Sequence, residues 1–563
     1  MTFMVEKSKY LPVAGRRLVM DRRTFLKTIG ISGAVGLVRP DHLLAGRAFS
    51  SPEYFDLHPF IKEHPEAVFI KRTNVADKRD SEAKRQEGIA LARDIFVLAE
   101  APGVPLSHRV AIKANTTCGA SPQASQMGIV TDVHFVEGVI EGMKTQLGLP
   151  GSKFYVREGN WLGDSYCPEA YWESGYGAMC ERTGANGERF DSGRLLSEVA
   201  LRNLEEGSEV TWVDYPQGVV FRRIGYVAPY NQPDTWLLNI AKLKAHGMGM
   251  TLCCKNHQGA CVHPHIHFCA GVQGTISSEP RVAGDFQPDV MEHVAELYAE
   301  HLEAGVPRWD KPGSNWNSGY GMEMWGQRTC DNLDASDTRF CIIEGIYGRN
   351  GNGFDSGPGP GRTAQDFMTN VLIFSRDPFR ADIIGNWLAG HEPGNFGLFH
   401  IAWDRGLCTV LNPMDIPVYL WEDPVPRLIS LTELERTPLV TYYLRRNYAG
   451  QSEPEWHLVD EEFDYGPYTS VEHTDVLEPT VFVLEQNYPS PFDSSTLIEY
   501  RLPWEQDVRI EVHNAAGQQV DVIVDAWRCA GAHLVQWNGR GRGSGTYFLR
   551  LRTADGFRIT RKM

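Results

Sequence analysis

Between residues 109 and 389, short apolar runs alternate with stretches of helical period. An apolar run over 109–113 ends in a polar turn, 114–125. Thr131-Asp132 then opens a segment with Val133, Val136, Val139 and Ile140 on one helical face, running to 147, and a second apolar run follows over 153–157. Strand, helix and strand at this spacing predict a parallel βαβ unit. The pattern predicts further strands over 235–241, 340–344 and 370–375, and helices over 80–99, 288–304 and 377–389. Residues 160–190, rich in Gly, Tyr, Trp and Cys, read as a long loop or lid, and 345–361 as a glycine-rich loop. From 477 the texture changes to short alternating strands over 496–501, 508–513, 533–537 and 546–551, as in a β-sandwich. The expected fold is an α/β core with a mostly parallel sheet, plus a C-terminal β-sandwich. The expected divisions are 1–48 (export signal), 49–106 (leader and helix), 107–410 (α/β domain), 411–476 (a linker or wrapping extension) and 477–563 (β-sandwich).

The N-terminus has a pattern of its own. Asp21-Arg22-Arg23-Thr24-Phe25-Leu26-Lys27 precedes an uncharged stretch, 28–38, with five Ile, Leu or Val and three Gly. That stretch is too short and too glycine-rich to span a bilayer. Small residues near Ala45 and Ala48 complete the pattern of a cleavable signal. The paired arginines resemble the twin-arginine class, which implies the twin-arginine translocase as a partner. No later segment has 18 consecutive apolar residues, so no transmembrane span is expected in the mature protein. The chain carries −16, and its first 48 residues hold nine Lys or Arg against three Asp or Glu, so the remainder is more acidic still. That excludes general nucleic-acid binding and leaves room for local basic pockets that take small anions. Eleven cysteines, an odd number, leave at least one thiol unpaired or ligating unless chains crosslink. No Cys-x-x-Cys-x-x-Cys run exists, so the ferredoxin-type iron–sulfur motif is absent.

Three constellations carry candidate chemistry. Lys113, Lys242, Lys244 and Lys255 lie at or just after expected strand ends, where parallel sheets collect their chemistry. Four converging ammonium groups need an anion to offset their repulsion, with Asn115, Asn256 and turn N–H groups near Gly259 as added donors. The plainer reading is lysines paired with acidic neighbours. His246 and Glu344 are the candidates for proton transfer. Asp132, beside His134, is a third, and equally a helix N-cap. The run Cys261-Val-His263-Pro-His265-Ile-His267-Phe-Cys269 offers five ligands suited to zinc, iron or copper. In an extended segment Cys261, His263, His265, His267 and Cys269 share one face. The plainer reading is a polar loop whose histidines bond backbone and carboxylates. Residues 345–361 lack a dinucleotide fingerprint, so NAD is not expected.

Two stretches resemble known families. Lys113-Ala114-Asn115, Thr131-Asp132, Lys242-Leu-Lys244-Ala-His246, Lys255-Asn256-His257-Gln258-Gly259, Glu344-Gly-Ile-Tyr-Gly348 and Ser375-Arg-Asp377 occur in that order. Through them residues 107–410 resemble domain-of-unknown-function family 362. Ala114 and Ala245 depart mildly from its pattern, and the ferredoxin domain added in some members is missing. The tail motifs are Leu484-Glu-Gln-Asn-Tyr-Pro-Ser-Pro-Phe492, Trp537-Asn538-Gly539 and Ser544-Gly545-Thr546-Tyr547-Phe548. They are similar to type IX secretion sorting domains and to the immunoglobulin-like domain of flagellar hook-cap proteins. This resemblance implies an immunoglobulin-like sandwich and delivery to the cell surface through an outer-membrane secretion machinery. Two functional readings follow. One is an exported, metal-dependent enzyme acting on a small anionic substrate. The other is a non-catalytic cell-surface protein that binds an anionic ligand.

Overall fold

The structure is a computed structural model describing residues 53–100, 103–116, 127–159, 174–189, 204–262, 265, 280–313, 318–354, 356–422, 426–445, 454–468, 482–484, 486–487, 492, 495–528, 531–539, 541–554 and 556–563. The export signal expected over 1–48 lies outside the described residues. Residues 52–563 form one compact unit.

Its centre is a ten-stranded sheet. In chain order its strands are β1 (Val68–Arg72), β2 (Arg109–Ala114), β3 (Phe154–Glu158), β4 (Asn186–Arg189), β5 (Thr235–His246), β6 (Gly249–Thr251), β7 (Thr338–Arg349), β8 (Asp366–Ser375), β9 (Val418–Leu420) and β10 (Arg427–Ile429). They lie in the order β10-β9-β1-β8-β7-β5-β2-β3-β4, with β6 hooked back on β5. The run β7-β5-β2-β3-β4 is parallel, as is β9 with β1. β8 is antiparallel to both β7 and β1.

The helices that frame the sheet are α1 (Ser81–Ile95), α2 (Val133–Leu147), α3 (Cys253–His257), α4 (Val290–Glu303), α5 (Gly319–Asp334), α6 (Pro378–Leu388) and α7 (Gly397–Asp404). Local chemistry sets their ends. Asp132 caps α2 by accepting from the His134 and Phe135 N–H groups, and Gly148 closes it in the left-handed region. Alternation along β5 sends Trp236, Leu238 and Ile240 into one core with Leu91, Ile95, Val136 and Val139. Ala241, Leu243 and Ala245 enter the opposite core with residues of α5, α6 and α7. Helices therefore cover both faces of the sheet, and all twelve residues of β5 are buried.

Three expectations change. The strand expected over 235–241 continues to His246, so Lys242, Lys244 and His246 lie within it. Pairing with β7 and β6 holds that polar stretch in the sheet. The strand expected over 340–344 likewise runs to Arg349, through the start of the expected glycine loop, because β8 pairs with it as far as Asp366. Within the expected lid, residues 174–189 hold a helix, Tyr176–Thr183, and β4. Tyr176, Met179 and Cys180 are buried, and Gly175 and Gly184 in the left-handed region bracket the helix.

Towards the C-terminus, sheets of three and four antiparallel strands enclose one apolar cluster that includes Leu484, Ile498, Tyr500, Ile510, Trp537 and Leu551. These strands meet the core through Trp527, whose ring stacks with the guanidinium groups of Arg339 and Arg376 at 4.7 and 5.3 Å. Arg376 also pairs with Glu505. Among the described residues, no helix is long and apolar enough to cross a membrane.

Candidate functional site: a lysine cluster at the strand ends

The expected lysines divide into two groups. β5 sends Lys242 into a buried network between α1, α2 and β7. Lys242 pairs with Glu344 at 2.7 Å and lies 3.4 Å from the centre of the Tyr347 ring. Lys84 pairs with Asp132 at 2.6 Å, and the Tyr347 hydroxyl donates to the same carboxylate at 2.7 Å. Glu344 also accepts the N–H groups of Asp132 and Ile346. Burial pushes the Glu344 carboxyl up against the pull of Lys242. Burial acts the same way on Asp132, but Lys84 outweighs it and holds that carboxyl below its ordinary value. Two ammonium groups thus meet two carboxylates. Asp132 and Glu344, expected as proton carriers, both lie in this buried network with Lys84 and Lys242.

The second group gathers where β2, β3 and β5 end. Lys113 projects from β2 on the face opposite Lys242 and Lys244. It pairs with Glu158 at 2.8 Å and donates to Asn256 Oδ1 at 2.9 Å. Asn256 returns a bond to the Lys113 carbonyl and another to Asn239 Oδ1. Glu158 also accepts the Thr116 N–H at 2.9 Å. Burial presses the Lys113 ammonium down and the Glu158 carboxyl up, and their mutual attraction opposes both shifts. Gly259 makes this packing possible, since a Cβ there would sit 1.7 Å from Glu158 Oε1 and 2.8 Å from Lys113 Nζ. Helix α3, which carries Lys255 and Asn256, is held at its start by Asp382, which accepts the Cys253 and Cys254 N–H groups at 2.7 and 2.9 Å. Burial raises that carboxyl to about 7.

Lys244 is different. It is 1% exposed, and among the described residues its Nζ donates to two backbone carbonyls, Ile129 at 2.5 Å and Gly353 at 3.2 Å. Among the described residues no carboxylate lies within ion-pair distance of it. Burial, then Lys255 and Arg349, push its ammonium well below the ordinary value. His246, two positions along the same face, is also buried. Its Nδ1 accepts the Met248 N–H at 3.1 Å, and burial with Lys255 and Lys244 holds the ring neutral, so its proton sits on Nε2. The half-buried Lys255 ammonium depresses Lys113, Lys244 and His246 alike, so it stands within electrostatic reach of all three. Asn115, beside the end of β2, keeps a buried Oδ1 that no donor reaches among the described residues. Its backbone N–H bonds Thr131 Oγ1 at 3.0 Å.

Residues 110–386 match the family model described as Domain of unknown function (DUF362). No curated protein matches the chain. The DUF362 segment runs from β2 into α6, and so contains the lysine cluster, Glu158, His246 and Asp382. It leaves out α1, which supplies Lys84, and three strands of the central sheet, β1, β9 and β10.

Two of the five expected metal ligands in the DUF362 segment are described, and both have other partners. His265 Nδ1 accepts the Gly225 N–H at 2.9 Å, while Nε2 contacts Asp285 Oδ2 at 3.0 Å. The Cys261 thiol donates to Asn332 Oδ1 at 3.3 Å, and burial pushes it up to about 12. The His265 N–H donates to the Val262 carbonyl at 2.9 Å. His263, His267 and Cys269 lie outside the described residues. No group of three His, Cys, Asp or Glu suited to a metal occurs among the described ones.

Of the functional neighbours, Lys84 was not anticipated from the sequence. It shares a face of α1 with Gly88, Leu91, Ala92 and Ile95, all buried. That phase was available in the sequence, but a lysine on an amphipathic helix reads as solvated. Asn239 and Tyr347 carry no comparable signal, since only the folded sheet sets them beside Asn256 and Asp132.

Proposed function

We propose that this chain is an exported enzyme whose DUF362 segment takes a small anionic substrate at Lys255 and Lys244. The carrying observation is Lys244. Lys84, Lys113 and Lys242 each have a carboxylate within 2.8 Å, while Lys244 bonds two carbonyls, lies nearer in effect to Lys255 and Arg349 than to Glu158, and has no ion pair among the described residues. Lys255 supplies the positive charge that an anion at this cluster meets, and Lys244 beside it has no carboxylate partner among the described residues that would compete for the place. His246 Nε2–H is the proton donor of this reading. Export rests on the twin-arginine motif, and delivery to the cell surface rests on the tail motifs and an immunoglobulin-like reading of the C-terminal strands. A zinc or iron site rests on the sequence run Cys261, His263, His265, His267 and Cys269, of which Cys261 and His265 have the partners given above.

The test is calorimetric titration of the mature chain with inorganic phosphate, pyruvate and acetoacetate, against Lys255→Gln. Loss of one charge-assisted hydrogen bond, worth about 1.5–3 kcal/mol, lowers affinity at least about tenfold. Equal binding by both proteins, or no binding of any anion, overturns the proposal.

A further inference from the structure

We infer that Lys244 is a carbonyl-capturing amine, and that the anion taken by the cluster is a small oxo-acid whose carboxylate lies on Lys255. This rests on the anion-site reading and names its substrate class. Lys244 is buried without a carboxylate partner among the described residues, the setting that favours the neutral form of an amine. An ammonium group has three donors and, once buried, calls for a carboxylate, as Lys84, Lys113 and Lys242 have. A neutral amine has two donors and a lone pair. Among the described residues Lys244 Nζ has two acceptors, the Ile129 and Gly353 carbonyls, which match the two N–H donors of an amine. Desolvation beside other cations is the setting that makes a lysine nucleophilic, and the shift at Lys244 agrees with this.

The chemistry balances without an oxidant. The Nζ lone pair adds to the substrate's carbonyl carbon, and the carbonyl π pair becomes an alkoxide that takes a proton, giving a carbinolamine. The nitrogen gives up one proton. Loss of the hydroxyl as water, after a second protonation, leaves a protonated imine. His246, neutral and carrying its proton on Nε2, supplies a proton to the departing oxygen on the same face of β5. Lys255, at the open side of the cluster, holds the carboxylate. The imine draws electrons from the adjacent carbon, which suits decarboxylation, aldol cleavage or proton exchange there.

The experiment uses the full mature chain with pyruvate, acetoacetate or 2-oxoglutarate and sodium cyanoborohydride, followed by intact mass and peptide mapping. The expected result is one reduced adduct on Lys244 in the unmodified protein, at least tenfold above that formed with acetone, which lacks the carboxylate. Lys244→Arg abolishes it, and Lys255→Gln reduces it at least tenfold. Mapping in the unmodified chain keeps the outcome independent of whether Lys244→Arg folds. An oxo-acid that binds calorimetrically but leaves no adduct on Lys244 overturns this inference while the anion site stands. Adducts spread evenly over surface lysines overturn it too. Absence of binding by every anion overturns both.

Discussion

At the scale of single residues, the fold handles four buried lysines in two ways. Lys84, Lys113 and Lys242 are neutralised by Asp132, Glu158 and Glu344. Lys244 is not. Removing one partner of a buried pair leaves the other charge uncompensated, at a cost of about 3–5 kcal/mol. Lys84→Met is therefore expected to destabilise the protein by about that amount in a denaturant titration. Lys84→Met with Asp132→Asn should recover part of the loss, because no charge is then stranded. A double variant as unstable as Lys84→Met alone would show that the pair's charge is not what matters. Most members of the cluster were legible as residues worth noticing. Their division into balanced and unbalanced lysines was not, because partners such as Lys84 and Asp132 are 48 positions apart.

Among elements, α4 is clasped to α5 and α7 by a charged histidine site. His301 Nδ1 contacts Glu323 at 2.8 Å and Nε2 contacts Asp404 at 2.9 Å, while Trp309 Nε1 donates to Glu323 at 2.7 Å. Burial works against the charged imidazole, but the bonds to Asp404 and Glu323 outweigh it and raise it to about 10. A pKa above the unfolded value of ~6.5 means the clasp contributes fully below that pH and is lost as pH rises towards 10. Melting temperatures between pH 6 and 10 should fall more steeply for the native chain than for His301→Gln. Parallel curves would remove this role from His301. Element ends were the least legible feature. The apolar signal of β5 stops at Ala241, whereas hydrogen bonding to β6 and β7 carries the strand five residues further, to His246.

For the whole molecule, the proposed route determines where and how the chain folds. A twin-arginine substrate crosses its membrane folded, so Arg22→Lys with Arg23→Lys should leave the protein in the cytoplasm of a bacterial host that has the translocase. Fractionation and immunoblotting check this, and undiminished export would remove the assignment. Elemental analysis of the exported native chain belongs to the same experiment. Stoichiometric zinc or iron supports the ligand run, and its absence leaves the lysine cluster as the site. The C-terminal strands bear on folding as well, since Trp527 is gripped by Arg339 of β7 and by Arg376, next to the end of β8.

By itself the sequence determined the α/β class of the core, the βαβ unit around Asp132, the C-terminal change to antiparallel strands and the lysine-rich motifs. Each of these is encoded in local period, capping and composition, which act over one or two turns of chain. The antiparallel β8, the passage of β5 and β7 through polar and glycine positions, and the recruitment of β1, β9 and β10 into one sheet were decided only by tertiary structure. These features depend on pairing between distant segments, for which no local period exists. The same holds for Lys244. Its sequence neighbours resemble those of Lys242, and what distinguishes the two is whether the fold brings a carboxylate within reach.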